Sequence, residues 1–291
     1  MRIIHFSDLH VWRMRLDWDL YPRRFLGLAN LALNRARVFP HRVAERLARQ
    51  LTEEEADAVI FSGDLTTTSY SGEFDLGRKL MTPLMEKYGD RFLTIPGNHD
   101  RYTPRVTRER WMEQRFLHGE QKRVALRSLS EKLSALLIDA SFPQLIWARG
   151  KIDAETLDAI SALLENEKQN KRDVIVVCHY PIAYPQRLGG LHRALDGHGL
   201  IGEAMLRERI DQPPVVAYLH GHEHRRWAVR LNRIVSLNAG SAGKLSSRPA
   251  DGPGYISFNI QNGVVENVEA VYLRAPDFEE WTRRNLEIEP L

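Results

Sequence analysis

The chain holds one cysteine, Cys178, in 291 residues. That excludes an intramolecular disulfide, and nothing argues for an oxidising compartment. No stretch approaches the roughly 18 uninterrupted apolar residues of a membrane span. The N-terminal Met1–Asp8 lacks the apolar core of a signal peptide. No internal repeat, low-complexity tract or Pro/Gly-rich linker divides the sequence. These absences lead us to expect a soluble, cytoplasmic protein with one domain over residues 1–275 and a peripheral C-terminal helix or tail over residues 276–291. The composition, 43% hydrophobic and 27% charged, is that of an ordinary globular protein. A chain of this length can bury a sizeable core.

The formal net charge of +3 conceals an uneven distribution. Trp12–Gln50 carries nine arginines against three acids, and Arg101–Arg127 eight basic residues against three acids. The remainder is net acidic. Positive charge in these two segments favours an anionic substrate if both lie near one site; the alternative is a pair of solvated helix faces.

Short apolar runs alternate with helical patterns. Arg2–Phe6, Ala58–Phe61, Arg91–Ile95, Leu133–Ile138, Val174–Val177 and Val215–Leu219 have the length of strands buried on both faces. Val43–Leu51, Asp153–Glu167 and Ile201–Ile210 place apolar residues at helical spacing, and Asp153 is a candidate N-cap. The alternation predicts an α/β layered domain. After His224 the pattern changes to Ala228–Leu231, Ile234–Leu237, Tyr255–Ile260 and Val264–Tyr272, with turn residues between them, which predicts antiparallel strands. Asp17–Phe39, Asp100–Leu129 and Tyr184–Gly199 are candidate loops or caps.

Nearly every strand run ends in a cluster of oxygen or imidazole donors, where sheets of this class gather their ligands. The clusters are Asp8-Leu9-His10, Gly63-Asp64, Gly97-Asn98-His99-Asp100, His179 and Gly221-His222-Glu223-His224. In an extended backbone Asp8 and His10 point to one face and can grip one ion, as can His222 and His224. Alone, a D-x-H is common by chance, a Gly-Asp is more often a turn, and a single histidine at a strand end is usually structural. The Pro96–Asp100 turn is more specific, because turn chemistry and functional side chains coincide; Gly97 is expected to free its backbone. Nitrogen and oxygen donors without thiolate suit Mn²⁺, Fe²⁺/Fe³⁺ or Zn²⁺. His220 is expected to support the ligands from behind or to be structural, and Cys178 to point into the core.

In this order the clusters resemble the calcineurin-like metallophosphoesterase family, over about three quarters of the chain. The resemblance implies an α/β fold, a four-layer α/β/β/α sandwich of two mixed sheets flanked by helices. It also implies two divalent metal ions. Asp8, His10, Asp64 and His224 would hold the first, and Asp64, Asn98, His179 and His222 the second. A water between the ions would attack a phosphoester, with no Ser, Cys or Thr nucleophile. By the same resemblance His99 is the group that protonates the leaving oxygen or stabilises the transition state, and Asp100 orients His99 or its loop. Arg101 is a candidate phosphate contact. Many family members carry an acid three positions after the Gly-Asp pair; Thr67 stands there instead.

Within the family the chain resembles the bacterial phosphodiesterase branch, so the expected substrate is a cyclic nucleotide or related small diester. The alternatives are a phosphomonoester, a nucleic acid, and a lipid-linked diphosphate such as an acylated UDP-sugar. For the last, the apolar and aromatic residues of segment 12–39, interleaved with arginine, would make peripheral membrane contact. The DNA-repair members carry extra capping and coiled-coil parts that this chain lacks, which argues against nucleic acid. No obligate protein partner is inferred. A non-catalytic scaffold would show a broken ligand set, whereas every position here is filled.

Overall fold

The first strand shows why its run is continuously apolar. Ile4 and Phe6 pack under helices on one face, while Ile3 packs toward a second sheet on the other. Such two-sided burial removes the polar half of the usual alternation. The computed structural model describes residues 1–14, 27, 31–116, 122–144, 147–186, 198–248, 251–275 and 277–291.

The strands among these are β1 (Arg2–Phe6), β2 (Ala58–Phe61), β3 (Phe92–Thr94), β4 (Val124–Ser128), β5 (Leu133–Ile138), β6 (Gly150–Lys151), β7 (Asp173–Cys178) and β8 (Leu200–Ile201). They continue with β9 (Val215–His220), β10 (Arg226–Leu231), β11 (Ile234–Ala239), β12 (Gly254–Gln261), β13 (Val264–Leu273), β14 (Trp281–Asn285) and β15 (Ile288–Pro290). One sheet runs β14-β13-β12-β1-β2-β3, the other β15-β10-β11-β9-β7-β5-β4, and β6 pairs with β8 alone. Both large sheets are mixed: β1, β2 and β3 are parallel neighbours, as are β5, β7, β9 and β11, with antiparallel strands at the flanks.

Helices cover the outer faces. α1 (His41–Glu53) turns Val43, Ala44, Leu47, Ala48 and Leu51 inward, and α2 (Ser71–Tyr88) packs beside it on the first sheet. Two short helices, α3 (Pro104–Glu109) and α4 (Trp111–Phe116), complete that layer. α5 (Ala154–Gln169) and α6 (Glu203–Ile210) cover the second sheet. Asp153 caps α5 by accepting from Thr156 N at 3.1 Å. A third cluster, with Ile60, Leu137, Val177, Leu219, Leu237 and Phe258, fills the space between the sheets. The result is the expected sandwich of two mixed sheets flanked by helices.

Two expectations need correction, and one helix carried no signal. The residues after 276 form edge strands, one on each sheet, where a helix or tail was expected. The first of them completes a hairpin with the exposed edge of β13, whose unpaired N–H and C=O groups offer the segment a ladder that outweighs its weak helical pattern. The four strands after His224 are two hairpins in different sheets rather than one antiparallel run, because β11 pairs parallel with β9. α2 left no clear signal, since Gly77 and Pro83 interrupt its apolar face. The segment 12–39 lies largely outside the described residues. Its described apolar members divide: Leu31 is fully buried, Phe39 nearly so, and Trp12 Nε1 donates to Phe39 O at 2.8 Å, whereas Met14 is exposed.

Candidate metal centre

The loops that follow β1 and β2 stay zipped together beyond the sheet. Asp8 N donates to Gly63 O at 2.9 Å, His10 N to Asp64 O at 3.1 Å and Val11 N to Leu65 O at 2.8 Å. This brings Asp8, His10 and Asp64 to one rim, beside the His222–His224 loop that follows β9.

The backbone there is not extended. Asp8, His10, Asp64, His222 and His224 all have left-handed backbones, with φ of 56°, 51°, 59°, 75° and 53°. Both D-x-H and H-x-H therefore reach one face through successive tight turns, not through strand alternation as the spacing suggested. A left-handed side-chain-bearing residue costs about 1–3 kcal/mol and persists only where its surroundings over-determine it. Two of the glycines nearby illustrate close approach. A Cβ on Gly97 would collide with Asp64, and one on Gly221 with Ser7 and Asp8. Gly97 is thus required for space, where the sequence suggested backbone freedom.

Each carboxylate spends one oxygen on the backbone and presents the other to imidazoles. Asp8 Oδ2 accepts from His222 N at 2.9 Å, and Asp64 Oδ1 from His99 N at 2.7 Å. Asp8 Oδ1 then lies 3.1 Å from His224 Nε2 and 3.7 Å from His10 Nε2. Asp64 Oδ2 lies 3.4 Å from His179 Nε2 and 3.7 Å from His10 Nε2. Two carbonyls set the tautomers: His10 Nδ1 faces Thr66 O at 3.2 Å and His179 Nδ1 faces Ser62 O at 2.8 Å. With Nδ1–H donated outward, both Nε2 lone pairs point to the centre.

Imidazole nitrogens also face one another, His10 Nε2 to His224 Nε2 at 2.9 Å and His179 Nε2 to His222 Nδ1 at 3.3 Å. Donors held about 2.0–2.2 Å from one ion lie about 3.0–3.5 Å apart, so these spacings fit coordination. Among the described residues Asn98 Oδ1 is buried without a hydrogen-bond partner, an arrangement that proteins avoid unless another group completes it. Donor atoms within 4.8 Å of one another group as Asp8–His10–His224, Asp64–His179–His222 and His10–Asp64–His99. The residues thus fit two divalent cations sharing Asp64, and the third group places His99 at the edge of the set.

Burial would raise the carboxyl pKa values, but imidazoles outweigh it. His224 and His10 hold Asp8 well below the ordinary carboxylate range, and His179, with His99 and His10, does the same for Asp64. Burial lowers His222 to about 3, and lowers His10, beside Arg35, to about 4. His179 is opposed by burial, yet Asp64 raises it to about 9. Neutral imidazoles and ionised carboxylates are the forms that ligate metals, so a cation bound at His179 would displace the proton that Asp64 favours there.

The remaining candidates divide. His99 Nδ1 faces Thr67 O at 2.7 Å, and its ring stacks on Tyr102 at 5.1 Å between centroids. The Asp100 carboxylate accepts from Leu65 N, Thr66 N, Thr66 Oγ1 and Gly97 N at 2.9–3.1 Å, so it fastens the two loops together and does not hold the His99 ring. Arg101 is not brought to the site. It is 2% exposed, and Nη2 donates to Glu113 Oε1 at 2.5 Å and Asp139 Oδ2 at 2.8 Å. Its expected role as a phosphate contact is withdrawn. Thr67 Oγ1 donates to His10 O at 2.9 Å. His220 is buried against Ser236 Oγ at 3.1 Å, and Cys178 lies in the core with its thiol pushed up to about 11 by burial, both as expected.

No individual signal marks Phe39 in the sequence, yet its ring lies 4.8 Å from that of His10 and 5.8 Å from that of His224. Nor does the sequence single out Arg35, which lies against His99, or the exposed His198, with its ring 5.8 Å from that of His222.

A family model for calcineurin-like phosphoesterase matches residues 1–226, and the chain belongs to that family. It is accordingly a metal-dependent phosphoric ester hydrolase. No curated protein sequence matches it. Among solved structures, a dimetal phosphatase of Danio rerio is 12% identical with a TM-score of 0.58, over 98% of this chain and 99% of its own. The purple acid phosphatase PPD1 of yellow lupin (Lupinus luteus) is 13% identical with a TM-score of 0.61, over 99% of this chain and 54% of its own. At these identities the likeness establishes the fold. No helix among the described residues is long and apolar enough to cross a membrane.

Proposed function

We propose that the protein hydrolyses a phosphodiester, a cyclic nucleotide or related small diester, in the manner of the bacterial phosphodiesterase branch. The observation that carries the hydrolytic reading is the convergence of Asp8 Oδ1, Asp64 Oδ2 and the Nε2 atoms of His10, His179 and His224. Asp8, His10, Asp64 and His224 would hold one divalent ion, and Asp64, Asn98, His179 and His222 the other, with Mn²⁺, iron or Zn²⁺ suited to these donors. When bound, such ions polarise phosphoryl oxygens and lower the pKa of water.

The chain's own groups supply the rest. His99 donates Nδ1–H to Thr67 O, which leaves Nε2 as the position that carries a proton to the leaving oxygen. General acid help of this kind contributes about 10²–10⁴-fold. Asp100 keeps the Gly97–Asp100 turn in register with Leu65 and Thr66. Tyr102 and Phe39 line the site with aromatic surface against His99, His10 and His224.

The test is hydrolysis of bis-p-nitrophenyl phosphate against p-nitrophenyl phosphate by Mn²⁺-loaded protein, with Asp64→Ala as control. A diester preference that the variant loses supports the reading. A monoester preference redirects it to phosphatase substrates, and activity that survives in the variant overturns the site.

A further inference from the structure

Arg35 ends a π-helical turn, Leu31–Arg35, and its carbonyl accepts from Phe39 N at 2.8 Å. The segment is fastened to the site's own loops: Leu245 N donates to Val38 O at 2.8 Å, and Trp12 Nε1 to Phe39 O at 2.8 Å. Its guanidinium lies across His99, with Nη1 3.3 Å from Nδ1 and Nη2 3.2 Å from Nε2, and with Cζ 5.8 Å from the Phe39 ring centroid. No carboxylate among the described residues reaches ion-pair distance of it. Asp64 and Asp8 act on it only at longer range, and burial is the largest influence on its charge.

This is an incomplete arrangement for an arginine. The guanidinium is permanently charged and carries five N–H donors. His99 Nδ1 is turned to Thr67 O and has no lone pair to offer, and Nε2 can accept from Arg35 only while it carries no proton. A partly buried cation without a counter-ion among the described residues is costly, and divalent ions nearby would repel it further. An anion lying between Arg35 and the donor cluster removes both costs. Charge-assisted bonds from a guanidinium fork to phosphoryl oxygens are short and strong.

We propose that Arg35, lying across His99, forms an anion subsite that grips a non-bridging phosphoryl oxygen of the substrate beside the metal centre. The inference rests on the phosphoester reading above and adds a substrate-binding residue to it. The subsite would also hold inorganic phosphate, which permits a test by equilibrium binding.

The experiment is calorimetric titration of inorganic phosphate into Mn²⁺-loaded wild type, Arg35→Ala and Arg35→Lys. Metal content and circular dichroism are measured on the same samples. Arg35→Ala is expected to weaken phosphate binding roughly 10- to 100-fold with metal content and fold retained. Arg35→Lys keeps the charge but loses the fork, and falls between the two. Unchanged affinity in whichever variant keeps its metal and fold, or no phosphate binding by wild type, overturns the subsite. Phosphate binding that depends on Arg35 in a protein that hydrolyses neither ester would sink the phosphoesterase reading and leave the subsite standing.

Discussion

Two arginines meet the Gly97–Asp100 turn, and their surroundings differ in one respect. Arg101 follows the turn in sequence and disappears into an ion-pair cluster with Glu113 and Asp139, where burial is opposed and outweighed by two carboxylates. Arg35 arrives from a distant segment, lies on His99, and has no carboxylate at ion-pair distance among the described residues. The position next to a motif is therefore a poor guide to function, whereas the pairing of a cation separates a structural arginine from one that awaits an anion. The same contrast runs through the oxygens of the site. All the partners of Asp100 are protein N–H and O–H groups, while Asp8 and Asp64 each keep an oxygen facing only imidazoles.

The widest separation between these regions is expected for Asp64→Ala. Elemental analysis should show at least one metal equivalent lost per chain, and diester hydrolysis should vanish; retention of two ions would sink the shared role of Asp64. His99→Ala comes next, with turnover down about 10²–10⁴-fold and metal content near wild type. Metal loss in that variant would instead make His99 a ligand, consistent with its place beside His10 and Asp64.

Arg101→Ala should act on stability. It strands two acids, Glu113 almost wholly buried and Asp139 largely so, and costs about 3–5 kcal/mol. A thermal melt should fall by roughly 10 °C; an unchanged melt would erase the distinction drawn between the two arginines. The smallest expected change concerns Cys178. Its thiol, pushed up to about 11 by burial, stays protonated and out of contact with solvent at pH 8, so alkylation by iodoacetamide should begin only on unfolding. Rapid labelling of folded protein would contradict the core packing of β7.

The strand ends that carry donors were legible because two-sided burial leaves short apolar runs that stop where the sheet stops. β1, β2 and β5 fall on the predicted residues. α2 was not legible, since its glycine and proline are tolerated only through packing against the rest of the layer. The C-terminal strands were not legible either, because an edge strand draws its stability from a neighbour's open ladder and not from its own pattern. The role of Arg101 was misjudged from adjacency: Glu113 lies 12 residues and Asp139 38 residues along the chain, and their convergence is a property of the fold.

Sequence alone determined which residues could ligate metals, because donor chemistry is local and the order of Asp8, His10, Asp64, Asn98, His179, His222 and His224 is carried by the chain itself. It also determined the layered class, through the periods of its apolar residues. Tertiary structure decided how those donors converge, through left-handed turns locked by hydrogen bonds between distant loops. It also decided which carboxylate oxygens face only imidazoles and which arginine at the site has no carboxylate at ion-pair distance among the described residues, since each depends on partners far away in sequence that only folding brings within reach.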